Sequence, residues 1–185
     1  MGVPQAQAVV AKARLLKRNG SMKKTALYIA LLITTVGFSQ QSLSQLLKKY
    51  NTGVVPYISA EDLSRLENNV VLLDAREPKE YKVSHLKNAL HVGYDDFDIA
   101  LVKKRVTNKK QKIIVYCSLG VRSEVVGMKL KAAGYTNIQN LYGGIFEWKN
   151  QNFKVYDASE KETENIHAYS KSWNKWLLKG TKVYD

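Results

Sequence analysis

The residues of this sequence best suited to chemistry are one cysteine and an arginine five positions later. Cys117 is the only cysteine in the chain. It follows Ile113–Tyr116, an apolar and β-branched run that is typical of a buried strand. Gly120 permits a tight turn, and Arg122 then adds a fixed positive charge. A thiol beside such a charge ionises readily, and the thiolate is the nucleophilic form. The pattern therefore predicts a reactive cysteine.

The segment after this loop predicts the helix that positions it. Val125, Val126, Met128, Leu130 and Ala133 have the spacing of a helix packed on a sheet, and Gly134 is a suitable terminator. The cysteine is thus predicted on a turn from the carboxyl end of a strand into a helix, where open α/β sheets place their ligand crevice. The amides of that helix end can also hold an anion. The alternative is a small buried cysteine at a strand end.

Four segments, in this order along the chain, resemble the rhodanese-like (sulfurtransferase) domain family. Cys117–Ser123 is similar to its active-site loop, and Val70–Tyr81 is similar to its segment of strand, Asp-x-Arg and Glu-Tyr. Ser84–Val92 resembles its Gly-His-Ile-x-Gly-Ala segment, with Ser84 and Asn88 in place of the two glycines. Leu141–Trp148 matches its closing Gly-Gly and Trp motif. The resemblance covers residues 57–153.

The resemblance implies a fold and a set of site residues. The fold would be a rhodanese-like three-layer α/β fold, a small parallel sheet with helices on both faces, which agrees with strands alternating with helices. Cys117 would be catalytic, and Asp74 and Arg76 would form a polar support for the loop. An exposed ion pair at a strand end is the alternative for those two residues. The substrate-binding loop would comprise Ser118, Leu119, Gly120, Val121, Arg122 and Ser123.

The implied activity is transfer of a sulfane sulfur. The small anionic donor would be thiosulfate or a persulfide, the acceptor would be cyanide or a thiol, and Cys117 would carry the sulfur as a persulfide. No cofactor is implied, and no metal site is predicted because the three histidines lack ligand spacing.

Two other functions stay open. One is a non-enzymatic persulfide carrier or partner-binding module, because Ser118 stands where several thiosulfate-using relatives have Arg or Lys. The other is a cysteine phosphatase or arsenate reductase, whose loop would need Cys and Arg six positions apart, whereas Cys117 and Arg122 are five positions apart.

The charge of the chain does not indicate nucleic-acid binding. The formal net charge is +13 over 185 residues, but no arginine-rich stripe with interleaved aromatic residues occurs. The basic run from Lys103 to Lys112 predicts a solvated helix end and loop. A positive rim that steers anions to the cleft is its alternative.

The amino-terminal residues predict a targeting signal rather than part of a folded domain. Residues 22–39 combine a positive start with an apolar run, as in a bacterial signal peptide. This predicts an exported protein, periplasmic or secreted. An uncleaved membrane anchor, with membrane contact through this segment, is the alternative. Residues 1–21 form an uncertain leader, either a basic amphipathic helix or an artefact of a start site at Met22.

Two further segments flank the domain. Residues 40–56 predict a lead-in helix, and residues 154–185 predict a linker and an amphipathic aromatic helix. The stripe of that last helix is Ile166, Tyr169, Trp173, Trp176 and Leu177. It would fold back on the domain, or else residues 166–177 would bind a partner protein or a membrane interface.

Overall fold

The computed structural model describes residues 43–66 and 70–185. The predicted leader and signal segments, 1–21 and 22–39, lie outside these residues. Within the described part of the chain, no helix is long and apolar enough to span a membrane. The chain divides into two compact units, Met1–Gln45 and Leu46–Asp185, and the architecture below is that of the second.

The centre of the fold is a parallel sheet of five strands. In spatial order the strands run β1-β5-β4-β2-β3, and each neighbouring pair is parallel. The strands are β1 (Tyr57–Ile58), β2 (Val70–Asp74), β3 (Leu90–His91), β4 (Lys112–Tyr116) and β5 (Ile138–Leu141). The strand that leads to Cys117, β4, lies between β5 and β2. The α/β class predicted from the alternation of strands and helices is confirmed.

Helices connect the strands and flank the sheet. They are α2 (Ala60–Arg65), α3 (Pro78–Val83), α4 (Ile99–Arg105), α5 (Arg122–Ala132) and α6 (Gly144–Asn150). A further helix, α1 (residues 43–50), precedes them and spans the boundary between the two units. The lead-in helix predicted within residues 40–56 is α1. The side chain of Ser59 caps α2 by accepting from the Asp62 amide, and Asp98 caps α4 through the Ala100 amide.

The strand β4 is buried on both faces, as a central parallel strand must be. Ile113 and Val115 belong to a cluster that includes Val102 of α4 and Val126 of α5. Because successive side chains of a strand point to opposite faces, Ile114 contacts the other layer, and it is also fully buried. The strand end that carries Cys117 is therefore held rigidly between two layers.

The basic run from Lys103 to Lys112 lies at the opposite edge of the sheet from Cys117. Lys112 begins β4, whereas Cys117 follows its end, and α4 returns from the carboxyl edge of the sheet toward the amino edge. The ammonium of Lys109 packs over the ring of Tyr135, 3.6 Å from the ring centre. A role for this run as a positive rim of the cleft is therefore wrong.

The carboxyl-terminal segment folds differently from the predicted amphipathic helix. It contains β6 (Val155–Tyr156), β7 (Glu162–Thr163), β8 (Asn165–His167), a 3₁₀ turn (Asn174–Trp176) and β9 (Thr181–Val183). The helix prediction over 166–177 is wrong because β8 pairs in parallel with β9. In addition, Tyr169 adopts a left-handed backbone with φ 63°, which an α-helix cannot contain.

The predicted return of this segment onto the domain is confirmed. Ile166 and Leu177 are fully buried. Asn150 of α6 donates to the Trp176 carbonyl at 2.9 Å, and Lys79 of α3 forms an ion pair with Asp185. The residues that have helical spacing in the sequence therefore lie on a strand and on the turns that follow it. Their apolar side chains pack against the domain.

Candidate functional site

The sulfur of Cys117 lies in a turn whose polar hydrogens point toward it. The thiol is buried, and the Gly120 amide donates to its Sγ at 3.1 Å. The Ser123 hydroxyl lies 3.5 Å from the same sulfur. Gly120 has φ 110°, and a Cβ there would lie 3.3 Å from the Leu141 carbonyl oxygen. Glycine is therefore needed for the turn that directs the amide at the sulfur.

The outer side of the loop is fixed by the start of α6. The amides of Ile145 and Phe146 donate to the carbonyls of Cys117 and Ser118, at 2.9 and 3.2 Å. Gly144 makes this approach possible, because a Cβ there would overlap the Cys117 carbonyl oxygen. The loop carbonyls are thus bonded away from the sulfur, which leaves loop amides free to face it. This explains physically why the Gly143-Gly144 pair accompanies the loop.

The surroundings of Cys117 favour its ionised form. Burial raises the pKa of the thiol, but the charge of Arg122 and hydrogen bonds from Ser123 and Gly120 outweigh burial. The pKa therefore lies below its ordinary value. Since the thiolate attacks and the thiol does not, the loop increases the reactive fraction at neutral pH.

Arg122 is held by a carboxylate that the sequence analysis did not single out. Its Nη1 and Nη2 donate to Glu80 at 2.6 and 2.8 Å, and Glu80 is buried. Burial raises the pKa of Glu80, but the bonds and charge of Arg122 outweigh it and lower that pKa. Glu80 belongs to the Glu-Tyr part of the segment that resembles the family, so its presence was visible. Its contact, across 42 positions of sequence, was not.

Ser118 is engaged in the same network. Its hydroxyl donates to Glu80 at 3.0 Å and accepts from Nη2 of Arg122 at 3.1 Å. The Ser118 hydroxyl therefore has a carboxylate and a guanidinium of the protein itself as its two hydrogen-bond partners. Position 118 stabilises the orientation of Arg122 and adds no positive charge to the loop.

Two asparagines fix the back of the loop. Asn51 and Asn140 each donate from Nδ2 to the Gly120 carbonyl at 2.8 Å. Asn140 also accepts from the Ser123 hydroxyl at 2.7 Å. Sequence reasoning missed both residues. A signal existed for Asn140, which is a polar residue inside the short buried strand β5.

Asp74 and Arg76 form a fully buried ion pair. The alternative interpretation, an exposed ion pair at the strand end, is therefore wrong. Nη2 of Arg76 contacts Asp74 at 2.6 Å and also donates to the Ser84 carbonyl. Burial alone would lower the pKa of Arg76, but Asp74 outweighs it and raises that pKa. Arg76 also lies 5.8 Å from the ring of Tyr116, the residue before Cys117. The pair supports the strand that leads into the loop, while Glu80 supports the loop itself.

A cavity of about 300 Å³ opens over the loop. Cys117, Ser118, Leu119, Val121 and Arg122 contribute its loop side. The cavity is completed by Glu77, Tyr94, Asp95, Tyr169 and Trp173. The last two belong to the carboxyl-terminal segment, and sequence reasoning did not assign them to the site. The structure thus brings the predicted loop residues together and adds an aromatic and acidic wall.

Comparison with known proteins identifies the domain that carries this loop. The family model of the rhodanese-like domain matches residues 59–151 of this chain. A protein named tRNA uridine(34) hydroxylase from Enterobacter sp. (strain 638) is 32% identical over 97 residues, which is 50% of this chain and 28% of that protein. Its namesake from Photorhabdus laumondii is 31% identical over 97 residues, with the same coverage of 50% and 28%. The chain therefore spans less than a third of the length of these relatives.

Solved structures show the same fold. Thiosulfate sulfurtransferase from Pseudomonas aeruginosa is similar with a TM-score of 0.52 and 22% identity, over 66% of this chain and 23% of that one. The rhodanese-like domain of an Anabaena protein is similar with a TM-score of 0.51 and 24% identity, over 57% of this chain and 82% of that one. At these identities the likeness is one of fold.

Proposed function

This chain belongs to the rhodanese-like domain family, and we propose that it is a sulfurtransferase that carries a sulfane sulfur on Cys117. One observation carries the proposal. The Cys117 sulfur accepts the Gly120 amide, lies beside Arg122, and forms part of the wall of an open cavity. A thiolate with lowered pKa, hydrogen-bond donors around it and room for a substrate are the requirements for nucleophilic attack on sulfur.

In the first half of the reaction the Cys117 thiolate attacks the outer sulfur of the donor. A new S–S bond forms to Cys117 while the bond between the two donor sulfurs breaks. The remainder of the donor leaves with the electron pair, as sulfite from thiosulfate or as a thiolate from an organic persulfide. The charge is conserved, and no external oxidant or reductant takes part.

The persulfide anion that results is stabilised by the loop. The Gly120 amide and the amides at the start of α5, that of Ser123 among them, are donors that can follow the charge to the outer sulfur. In the second half an acceptor thiolate or cyanide attacks that outer sulfur and releases the Cys117 thiolate. Its release restores the starting enzyme.

Two other activities receive less support. A phosphatase or arsenate reductase needs a loop wide enough to surround a tetrahedral oxyanion, and here Arg122 follows Cys117 by five positions and is bonded to Glu80. The hydroxylase activity in the name of the relatives is not carried over, because the likeness covers 28% of the Enterobacter protein.

The proposal predicts ping-pong kinetics. With an organic persulfide as donor and cyanide as acceptor, thiocyanate should form, and double-reciprocal plots at several fixed donor concentrations should be parallel, because the donor remainder leaves before the acceptor enters. Intersecting lines would contradict a persulfide intermediate. Absence of thiocyanate, together with Cys117-dependent hydrolysis of an aryl phosphate, would favour the phosphatase instead.

A further inference from the structure

Part of the cavity wall is formed by residues that follow the range matched by the family model. These residues indicate what kind of donor the site accepts. Tyr169 and Trp173 follow the matched range 59–151, yet both line the cavity over Cys117. Their rings meet edge to face with centres 5.6 Å apart. The ring of Trp173 also lies 6.4 Å from that of Tyr50. The carboxyl-terminal segment thus supplies a fixed aromatic surface to the site.

Several contacts hold this aromatic surface in place. The amide of Tyr169 donates to Nδ1 of His167 at 3.2 Å, and Nε2 of that histidine lies 3.1 Å from Asp185. Asp185 in turn pairs with Lys79 of α3. The left-handed backbone of Tyr169, φ 63°, is unfavourable for a tyrosine and persists only where its surroundings impose it. The position of the ring over the loop is therefore specified by the fold.

Tyr169 also covers the cation of the loop. The Arg122 guanidinium carbon lies 4.7 Å from the centre of the Tyr169 ring. Both terminal nitrogens of Arg122 are bonded to the two oxygens of Glu80. With a carboxylate on one side and a ring over its plane, Arg122 is a weak attractor for a second anion.

The remaining charges that line the cavity are negative. Glu77 and Asp95 line it, and the Asp95 amide donates to Glu77 at 3.4 Å, which keeps the two residues together. Glu77 also lies 3.9 Å from Nη1 of Arg122. Glu77, Glu80 and Asp95 together still exceed the single guanidinium by two negative charges. Like charges at close range repel even in water, so a dianion such as thiosulfate meets an unfavourable field.

From this arrangement we infer that the donor is an organic persulfide that bears an amino group. Its carbon chain and ammonium would contact the rings of Tyr169 and Trp173, the ammonium would pair with Glu77 and Asp95, and its outer sulfur would point at Cys117. A volume of about 300 Å³ is at the lower end of the range of pockets that hold organic molecules. The inference rests on the proposed sulfur transfer and specifies its donor.

The chemical step is the one already described. The Cys117 thiolate attacks the outer sulfur of R–S–SH, the S–S bond of the donor breaks, and R–S⁻ leaves with the electron pair. The proton of the outer sulfur passes to R–S⁻ through water, which gives R–SH and leaves the Cys117 persulfide as its anion. The amino group does not react. It contributes only to binding, so its effect should appear in the loading rate at low donor concentration.

The test compares three donors on the purified full chain. The persulfide of cysteamine carries an ammonium, the persulfide of 3-mercaptopropionate is of similar length and carries a carboxylate, and thiosulfate is an inorganic dianion. The rate of sulfur addition to Cys117 is followed by intact mass at limiting donor. The cysteamine persulfide should load about tenfold faster than the carboxylate persulfide, and thiosulfate should be slowest.

Variants separate the charge from the fold. The double variant Glu77→Gln/Asp95→Asn should abolish the preference between the two organic persulfides. Glu162→Gln, which removes one carboxylate from the β7 strand outside the cavity lining, should retain it. Trp173→Leu should slow loading by the two organic persulfides more than it slows loading by thiosulfate.

The outcomes distinguish the two proposals. Loading by all three donors at equal rates, or fastest by thiosulfate, would overturn the inference while the sulfurtransferase stands. Loading by none of them would overturn the sulfurtransferase and the inference with it.

Discussion

Replacing Cys117 by serine is expected to abolish sulfur transfer, with a fall in the rate of thiocyanate formation of at least about a thousandfold. A serine hydroxyl does not ionise near neutral pH, and an oxygen in its place cannot carry a sulfane sulfur. The fold should survive, because the new hydroxyl is small and can accept the Gly120 amide that now donates to Sγ. Thiocyanate formation and the thermal unfolding midpoint would be measured together.

Leu119→Ala is a useful companion to that variant. Leu119 is buried beside the cysteine, so its truncation tests packing of the loop while the nucleophile remains. Partial activity in Leu119→Ala beside none in Cys117→Ser would assign the chemistry to the sulfur. Measurable turnover in a correctly folded Cys117→Ser protein would mean that another group performs the reaction.

Among the substitutions proposed for this chain, replacing Asp74 by asparagine should cause the largest fall in the free energy of unfolding. Asp74 and Arg76 both have fully buried side chains, with their charged atoms 2.6 Å apart. Removing the carboxylate leaves the Arg76 charge buried without its partner, which lowers the free energy of unfolding by about 3–5 kcal/mol. Because whole domains are stable by about 5–15 kcal/mol, the midpoint of urea unfolding should fall markedly.

A double variant tests whether the charge is the cause. Asp74→Asn/Arg76→Met removes both charges and should be more stable than Asp74→Asn alone, since an apolar replacement of a buried pair is often tolerated. Glu162→Gln breaks an exposed pair with Lys154 and should leave the midpoint nearly unchanged. A midpoint for Asp74→Asn close to that of Glu162→Gln would contradict the structural role of the pair.

The parts of the site that sequence predicts are those that local patterns encode. The apolar run of β4, the turn at Gly120 and the periodicity of α5 follow one another without a gap, so the position of Cys117 at the carboxyl edge of the sheet was predictable. The bonded state of Arg122 was not, because Glu80 comes from α3, 42 positions away. Only tertiary packing decides which of several carboxylates reaches the loop.

The carboxyl-terminal segment shows a different limit. Its aromatic residues have helical spacing, and that spacing alone predicts a helix. The backbone instead pairs β8 with β9, a contact between residues far enough apart that no local period reveals it. As a result, the two rings that line the cavity were missed as site residues, although the return of the segment to the domain was predicted.

The central claim, that Cys117 carries the sulfur, is tested most directly by intact-mass spectrometry. The purified full chain would be treated with cysteamine persulfide, freed of excess donor and weighed before and after dithiothreitol. The structure predicts a gain of one sulfur atom, about 32 Da, that dithiothreitol removes and that is absent in Cys117→Ser. No gain in the wild-type chain, or an equal gain in Cys117→Ser, would contradict the claim.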